Sequence, residues 1–103
     1  FAPVKLSTDV CTSVVSCLVD TGAAITLVNF AVVQKLQAEH LLRPASELGV
    51  SALYTAGGRT LDMKGCLPLT FQFGHISFTA QVLAVAGLTE ECLLGADILA
   101  AHG

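Results

Sequence analysis

The stretch Cys17-Leu18-Val19-Asp20-Thr21-Gly22-Ala23-Ala24-Ile25-Thr26-Leu27-Val28 sets one ionisable side chain between two runs of apolar and β-branched residues. Val, Ile and Thr favour extended backbone, and a Gly two places after an acid is turn chemistry. The stretch therefore reads as a strand, a tight turn and a second strand, with Asp20 at the junction. Taken alone, such an Asp is either a structural acceptor for turn N–H groups or a carboxylate held for chemistry. The rest of the chain has to decide.

With 103 residues the chain is the size of one domain, and 1–103 is read as a single unit. Apolar residues make up 53% and charged residues 13%, more apolar and less charged than an average domain, so some apolar surface is expected to meet a partner. Thr, Asn, Gln, Gly or charged residues interrupt every apolar run well short of the roughly 20 residues that a membrane helix needs. A second copy of the chain explains the excess better than a bilayer, because an obligate interface resembles a domain core cut in half. The net charge is −3 and the five Lys and Arg residues are scattered, which argues against nucleic acid as a partner. The four cysteines form no Cys-x-x-Cys pair and read as buried thiols in a reducing, cytoplasmic setting. The chain starts at Phe1 with no basic or apolar leader, as expected of a segment released from something longer.

Strand signals dominate along the chain. Val4 to Leu6, Cys11 to Val19, Ile25 to Val28, Leu67 to Phe73 and Ile76 to Val85 are rich in β-formers, and Gly74-His75 is a hairpin turn. Asn29 is a good N-cap for a helix presenting Phe30, Val33, Leu36 and His40 on one face before Pro44. A second short helix is expected from Asp97 to Ala101. Leu53-Tyr54-Thr55-Ala56-Gly57-Gly58-Arg59-Thr60-Leu61 is a hairpin with a glycine pair at its tip, where backbone can approach a ligand closely.

A two-fold dimer would change what Asp20 can do, since a residue near the axis meets its own copy. Two carboxyl groups about 3 Å apart cannot both ionise cheaply, so the pair holds one proton and contains an acid and a base together. Such a pair can deprotonate a water as it attacks a peptide carbonyl and protonate the carbonyl oxygen, each transfer contributing ~10²–10⁴-fold. Neither a metal nor any other cofactor is required.

The run Leu18-Val19-Asp20-Thr21-Gly22-Ala23 resembles the catalytic motif of retropepsin-like aspartic proteases of the retroviral and retrotransposon type. Cys92-Leu93-Leu94-Gly95-Ala96-Asp97-Ile98-Leu99 is similar to that family's second signature, and the glycine hairpin lies between the two, as the family's flap does. The resemblance spans nearly the whole chain. It implies an all-β acid-protease barrel with one or two short helices, paired as a two-fold homodimer that hydrolyses polypeptide. Asp20 would be the catalytic carboxylate, Thr21 would reach across to the partner's loop, and Gly22 would let the substrate backbone pass. Ala23 and Ala24 would line the floor, while Tyr54, Thr55, Ala56, Gly57 and Gly58 would belong to the flap. Val19, Ile25, Leu93 and Leu94 would pack. The expected role is processing of a retroelement polyprotein, in the cytoplasm or within virus-like particles.

Two positions depart from the viral pattern. Viral members often carry an Asp after Asp-Thr-Gly-Ala and an Arg after the late Gly, which pair; here Ala24 and Ala96 stand there. Both partners are absent together, so no charge is stranded, and the brace must come from elsewhere. Asp97 followed by apolar residues looks more like retrotransposon proteases and the retropepsin-like domains of ubiquitin-shuttle proteins. A domesticated binding module with the same fold is the alternative outside enzymes. His40, His75 and His102 lack metal-ligand spacing, and no serine sits in a Gly-x-Ser-x-Gly elbow. Asp9, Asp62, Glu90 and Glu91 read as solvated loop charges, and Tyr54 as a half-buried strand residue.

Overall fold

The computed structural model describes residues 2–20, 22–54 and 58–102, the side chain of His102 excepted. Six strands, β1 (Ala2–Ser7), β2 (Thr12–Val19), β3 (Leu27–Asn29), β4 (Asp62–Phe73), β5 (Ile76–Ala86) and β6 (Cys92–Leu94), close into a barrel in the order β1-β2-β6-β3-β5-β4. Two short helices, α1 (Phe30–Lys35) and α2 (Ala96–His102), complete the all-β architecture that the sequence predicts. The long β4–β5 hairpin turns at Gly74-His75, also as predicted.

Alternation in β2 shows how sequence becomes barrel wall. Val15 and Cys17 are buried while Val14 and Ser16 face out, the period-2 pattern of a strand with one face on a core. Opposite them Val4 and Leu6 of β1 and Leu69 and Phe71 of β4 fill the main core, which Val32, Val33 and Leu36 cover from the helix side. A second, smaller cluster of Leu27, Val50, Cys66, Leu83 and Val85 carries the half-buried Leu61, Leu88 and Leu93 at its edge. That edge proves to be the floor of a cleft.

The first helix is shorter than expected. Asn29 caps it as predicted, its Oδ1 accepting from Ala31 N at 3.0 Å, yet the helix ends at Lys35 with Gln37 at φ 55°. His40 falls in a separate 3₁₀ turn, Glu39–Leu41, and is exposed rather than on the buried face. A further 3₁₀ turn, Ala45–Leu48, follows Pro44.

β2 and β3, on either side of the Asp20 turn, do not pair with each other. β6 lies between them, parallel to β2 (Leu18↔Leu93) and antiparallel to β3 (Leu27↔Leu93). The late apolar segment is thus the strand that spreads the two walls of the turn apart.

Candidate active site

Asp20 leaves the barrel at the end of β2, half-buried, with its backbone N–H donating to Leu94 O of β6 at 3.0 Å. The turn closes through Ala23 N–H donating to Asp20 O at 3.1 Å, and Gly22 N–H donates to the carboxylate Oδ1 at 3.0 Å. These bonds orient the side chain without surrounding it with cations. Among the described residues no Lys or Arg forms an ion pair with it.

The brace that the absent Asp and Arg leave open comes from Thr26 and Asp97. Thr26 is fully buried; its hydroxyl donates to Asp97 Oδ1 at 2.8 Å and accepts from Gly95 N–H at 3.0 Å, while its own N–H donates to Asp97 Oδ2 at 3.2 Å. Asp97 Oδ1 also takes the N–H of Ile98 at 2.8 Å, in the first turn of α2. Ala96 N–H donates to Ala23 O at 2.7 Å. The Asp20 turn is therefore stitched to the start of α2 by neutral and charge-assisted bonds. Gly95 is required for that approach: a Cβ there would lie 2.7 Å from Ile25 C and 2.9 Å from Ala23 O, both backbone atoms.

A cleft of about 420 Å³ opens over the turn. Asp20 and Ala23 lie in its wall with Leu18, Leu27, Leu61, Leu88 and Leu93, and Tyr54, Thr89 and Glu90 complete the rim. Tyr54 is 64% exposed, not the half-buried strand residue expected; among the described residues it stands in an isolated Tyr54↔Thr60 bridge beside a Leu61 N–H bond to Leu53 O at 2.9 Å. Gly58 is exposed at φ 84°, and Ala24 is exposed as well. Thr21, Thr55, Ala56 and Gly57 lie outside the described residues.

A second trench, of about 280 Å³ and almost wholly apolar, lies on the other side of β2 and is lined by Ala2, Val19, Phe73, Ile76, Ile98 and Leu99 among others. Val19 is 50% exposed there instead of packing within the chain, whereas Leu94 is buried and Ile25 and Leu93 are half-buried.

Several site residues escaped the sequence reading. Leu61, Leu88 and Glu90 come from segments distant from the motif and reach the cleft only through barrel closure, so no local pattern marked them. Glu90 and Glu91, read alike from sequence, separate. Glu91 Oε1 accepts from Ser16 N–H at 2.9 Å, outside the cleft, while Glu90 lines it. Asp62 sits on β4 and pairs with Lys64 at 3.0 Å.

Beneath the turn, Cys17 and Cys92 face each other in register, both fully buried. The hydrogen bond from thiol to thiol, reinforced by burial, drives the Cys92 thiol far above its ordinary range, and burial raises that of Cys66. Cys17, Cys66 and Cys92 fill the core as buried side chains. All four cysteines are unpaired, and among the described residues no group of three His, Cys, Asp or Glu side chains gathers to hold a metal. No helix among the described residues is long and apolar enough to cross a membrane.

Comparison with known proteins agrees with this geometry. The sequence family described as "gag-polyprotein putative aspartyl protease" matches residues 9–101. The fold is similar to the retroviral protease-like domain of Ddi1 from Leishmania major, with a TM-score of 0.72 and 16% identity over 97% of this chain and 75% of that one. It is equally similar to EIAV protease complexed with the inhibitor HBY-793, with a TM-score of 0.72 and 19% identity over 97% of this chain and 84% of that one. No curated protein sequence matches the chain. A retropepsin-type barrel, an Asp20 at the end of β2 bonded to Leu94 of β6, and a family match over residues 9–101 establish that the chain belongs to the gag-polyprotein aspartyl protease family.

Proposed function

We propose that the protein is a homodimeric aspartic endopeptidase that processes a retroelement polyprotein. The observation that carries this reading is Asp20 itself, held by Leu94 O and Gly22 N–H at the wall of a leucine-lined cleft. One such carboxylate is half of an acid–base pair. The apolar trench with exposed Val19 and Ile76 supports self-association on the side of β2 away from the cleft, as does the high apolar content of the chain.

In the dimer the two Asp20 carboxyls share one proton, because a second negative charge at that separation is costly. The ionised member takes a proton from water as the oxygen attacks the peptide carbonyl. The protonated member gives its proton to the carbonyl oxygen, and collapse of the tetrahedral intermediate, with proton transfer to the leaving nitrogen, breaks the C–N bond. Thr21 is assigned the contact with the partner's loop, Gly22 the close passage of substrate backbone, and the hairpin from Tyr54 through Thr55, Ala56, Gly57 and Gly58 the closure over the peptide.

Replacing Asp20 by Asn removes the ionisable pair and is expected to lower peptide cleavage by at least ~10²-fold while the dimer persists in sedimentation. Undiminished proteolysis by that variant rejects the mechanism. Specific activity of the unaltered protein should also rise with concentration at low protein, since each half-site is inert alone.

Asp97 and the likeness to the Ddi1 domain favour a second reading with the same half-site, the protease domain of a ubiquitin-shuttle protein. A ubiquitin-like segment in the flanking sequence would decide for it.

A further inference from the structure

Glu90 and Glu91 are neighbours in sequence with different surroundings. Glu91 is used up on the outside of the barrel, where Oε1 accepts from Ser16 N–H at 2.9 Å and Oε2 faces Lys35 Nζ at 3.9 Å. Glu90 borders the cleft with Asp20, Leu18, Leu88 and Leu93, and among the described residues no cation pairs with it. Lys35, Arg43 and Lys64 are each engaged with another carboxylate, and neither Lys5 nor Arg59 lines the cleft. Among the described residues, the charged side chains that line the cleft, Asp20 and Glu90, are both acids.

The loop that presents Glu90 is anchored. Asn29 Nδ2 donates to Leu88 O at 2.7 Å and to Glu90 O at 3.4 Å, and Asn29 N–H donates to Glu91 O at 2.9 Å. The helix cap therefore also holds the backbone of residues that line the cleft, Leu88 and Glu90.

We propose that this cleft selects a substrate side chain with an apolar stem and a cationic end, Lys or Arg, near the scissile bond, and that Glu90 is the residue that determines this specificity. The inference rests on the protease reading above. The leucine walls take the methylene stem out of water, and the half-buried carboxylate at the rim supplies a charge-assisted hydrogen bond to the ammonium or guanidinium. An acidic substrate side chain would instead bring a third negative charge beside Asp20 and Glu90. In a two-fold dimer each chain contributes one such pocket, so the preference falls at symmetric positions on the two sides of the cut.

The test uses peptides identical except for Lys, norleucine or Glu at one position beside the cleaved bond, with kcat/KM measured for the unaltered dimer and for Glu90→Gln and Glu91→Gln. Lys is expected to exceed norleucine by about fivefold, the ratio that a half-exposed ion pair supports, and Glu to fall below both. That Lys/norleucine ratio should collapse toward one in Glu90→Gln and persist in Glu91→Gln. Parity in the unaltered enzyme, or a Lys preference that survives Glu90→Gln, overturns the proposal. Absence of any Asp20-dependent cleavage would sink the protease reading instead. Fluorescence anisotropy of the same labelled peptides then decides the charge preference separately: tighter binding of the Lys peptide, lost in Glu90→Gln, upholds it, and equal binding overturns it.

Discussion

The sequence contains two glycine-bearing stretches between apolar flanks, Asp20-Thr21-Gly22 and Tyr54 to Arg59, and the described residues around them are held differently. The first is tied down from three sides. Leu94 O holds its backbone, Ala96 N–H reaches Ala23 O, and Thr26 with Asp97 locks the strand that leaves it. At the second, the described residues show a Leu61 N–H bond to Leu53 O and a Tyr54↔Thr60 bridge, with Tyr54, Gly58 and Thr60 exposed. On the function proposed above, a carboxylate that meets its own copy across an axis requires fixed geometry, while a segment that admits a peptide requires freedom to move.

Glycine substitutions break this comparison most directly. Gly95→Ala would drive a Cβ into the backbone of Ile25 and Ala23 and separate β6 from the Asp20 turn. A loss of about 3 kcal/mol in urea unfolding is expected, with activity lost alongside. Thr26→Val comes next. It keeps the volume but leaves Gly95 N–H without its acceptor and Asp97 without the hydroxyl, at a cost of about 2 kcal/mol. Because the brace orients Asp20, kcat should fall more than KM rises; a fall in stability with kcat intact would show that the brace is structural only. Gly58→Ala should have the smallest effect on stability. A Cβ there meets nothing within 4 Å, so the cost is the left-handed backbone at φ 84°, about 1 kcal/mol. Its thermal midpoint should move least of the three, while KM responds if the hairpin closes over substrate.

Much of this was legible in the sequence, for reasons that are local. Runs rich in β-forming residues and the Gly74-His75 turn revealed β1, β2 and the β4–β5 hairpin, and Asn29 announced the start of α1 because capping depends on one side chain and its nearest N–H groups. The end of α1 was less legible. The apolar spacing continues to His40, but the turn at Gln37 redirects the chain before that residue can be buried. Glu90, Leu61 and Leu88 could not be assigned to the site at all, since nothing near them in sequence refers to Asp20.

The residues by themselves determined that an acid would stand at a turn between strands and that the chain would be a β protein rich in apolar residues. Those features depend on backbone preference and short-range hydrogen bonding, which act within a few residues. Only the tertiary structure decided that β6 would wedge between β2 and β3, that Thr26 and Asp97 would replace a missing ion pair, and that one of two adjacent glutamates would line the cleft. Each of those pairings joins segments roughly 70 residues apart, and barrel closure, not local propensity, brings them into contact.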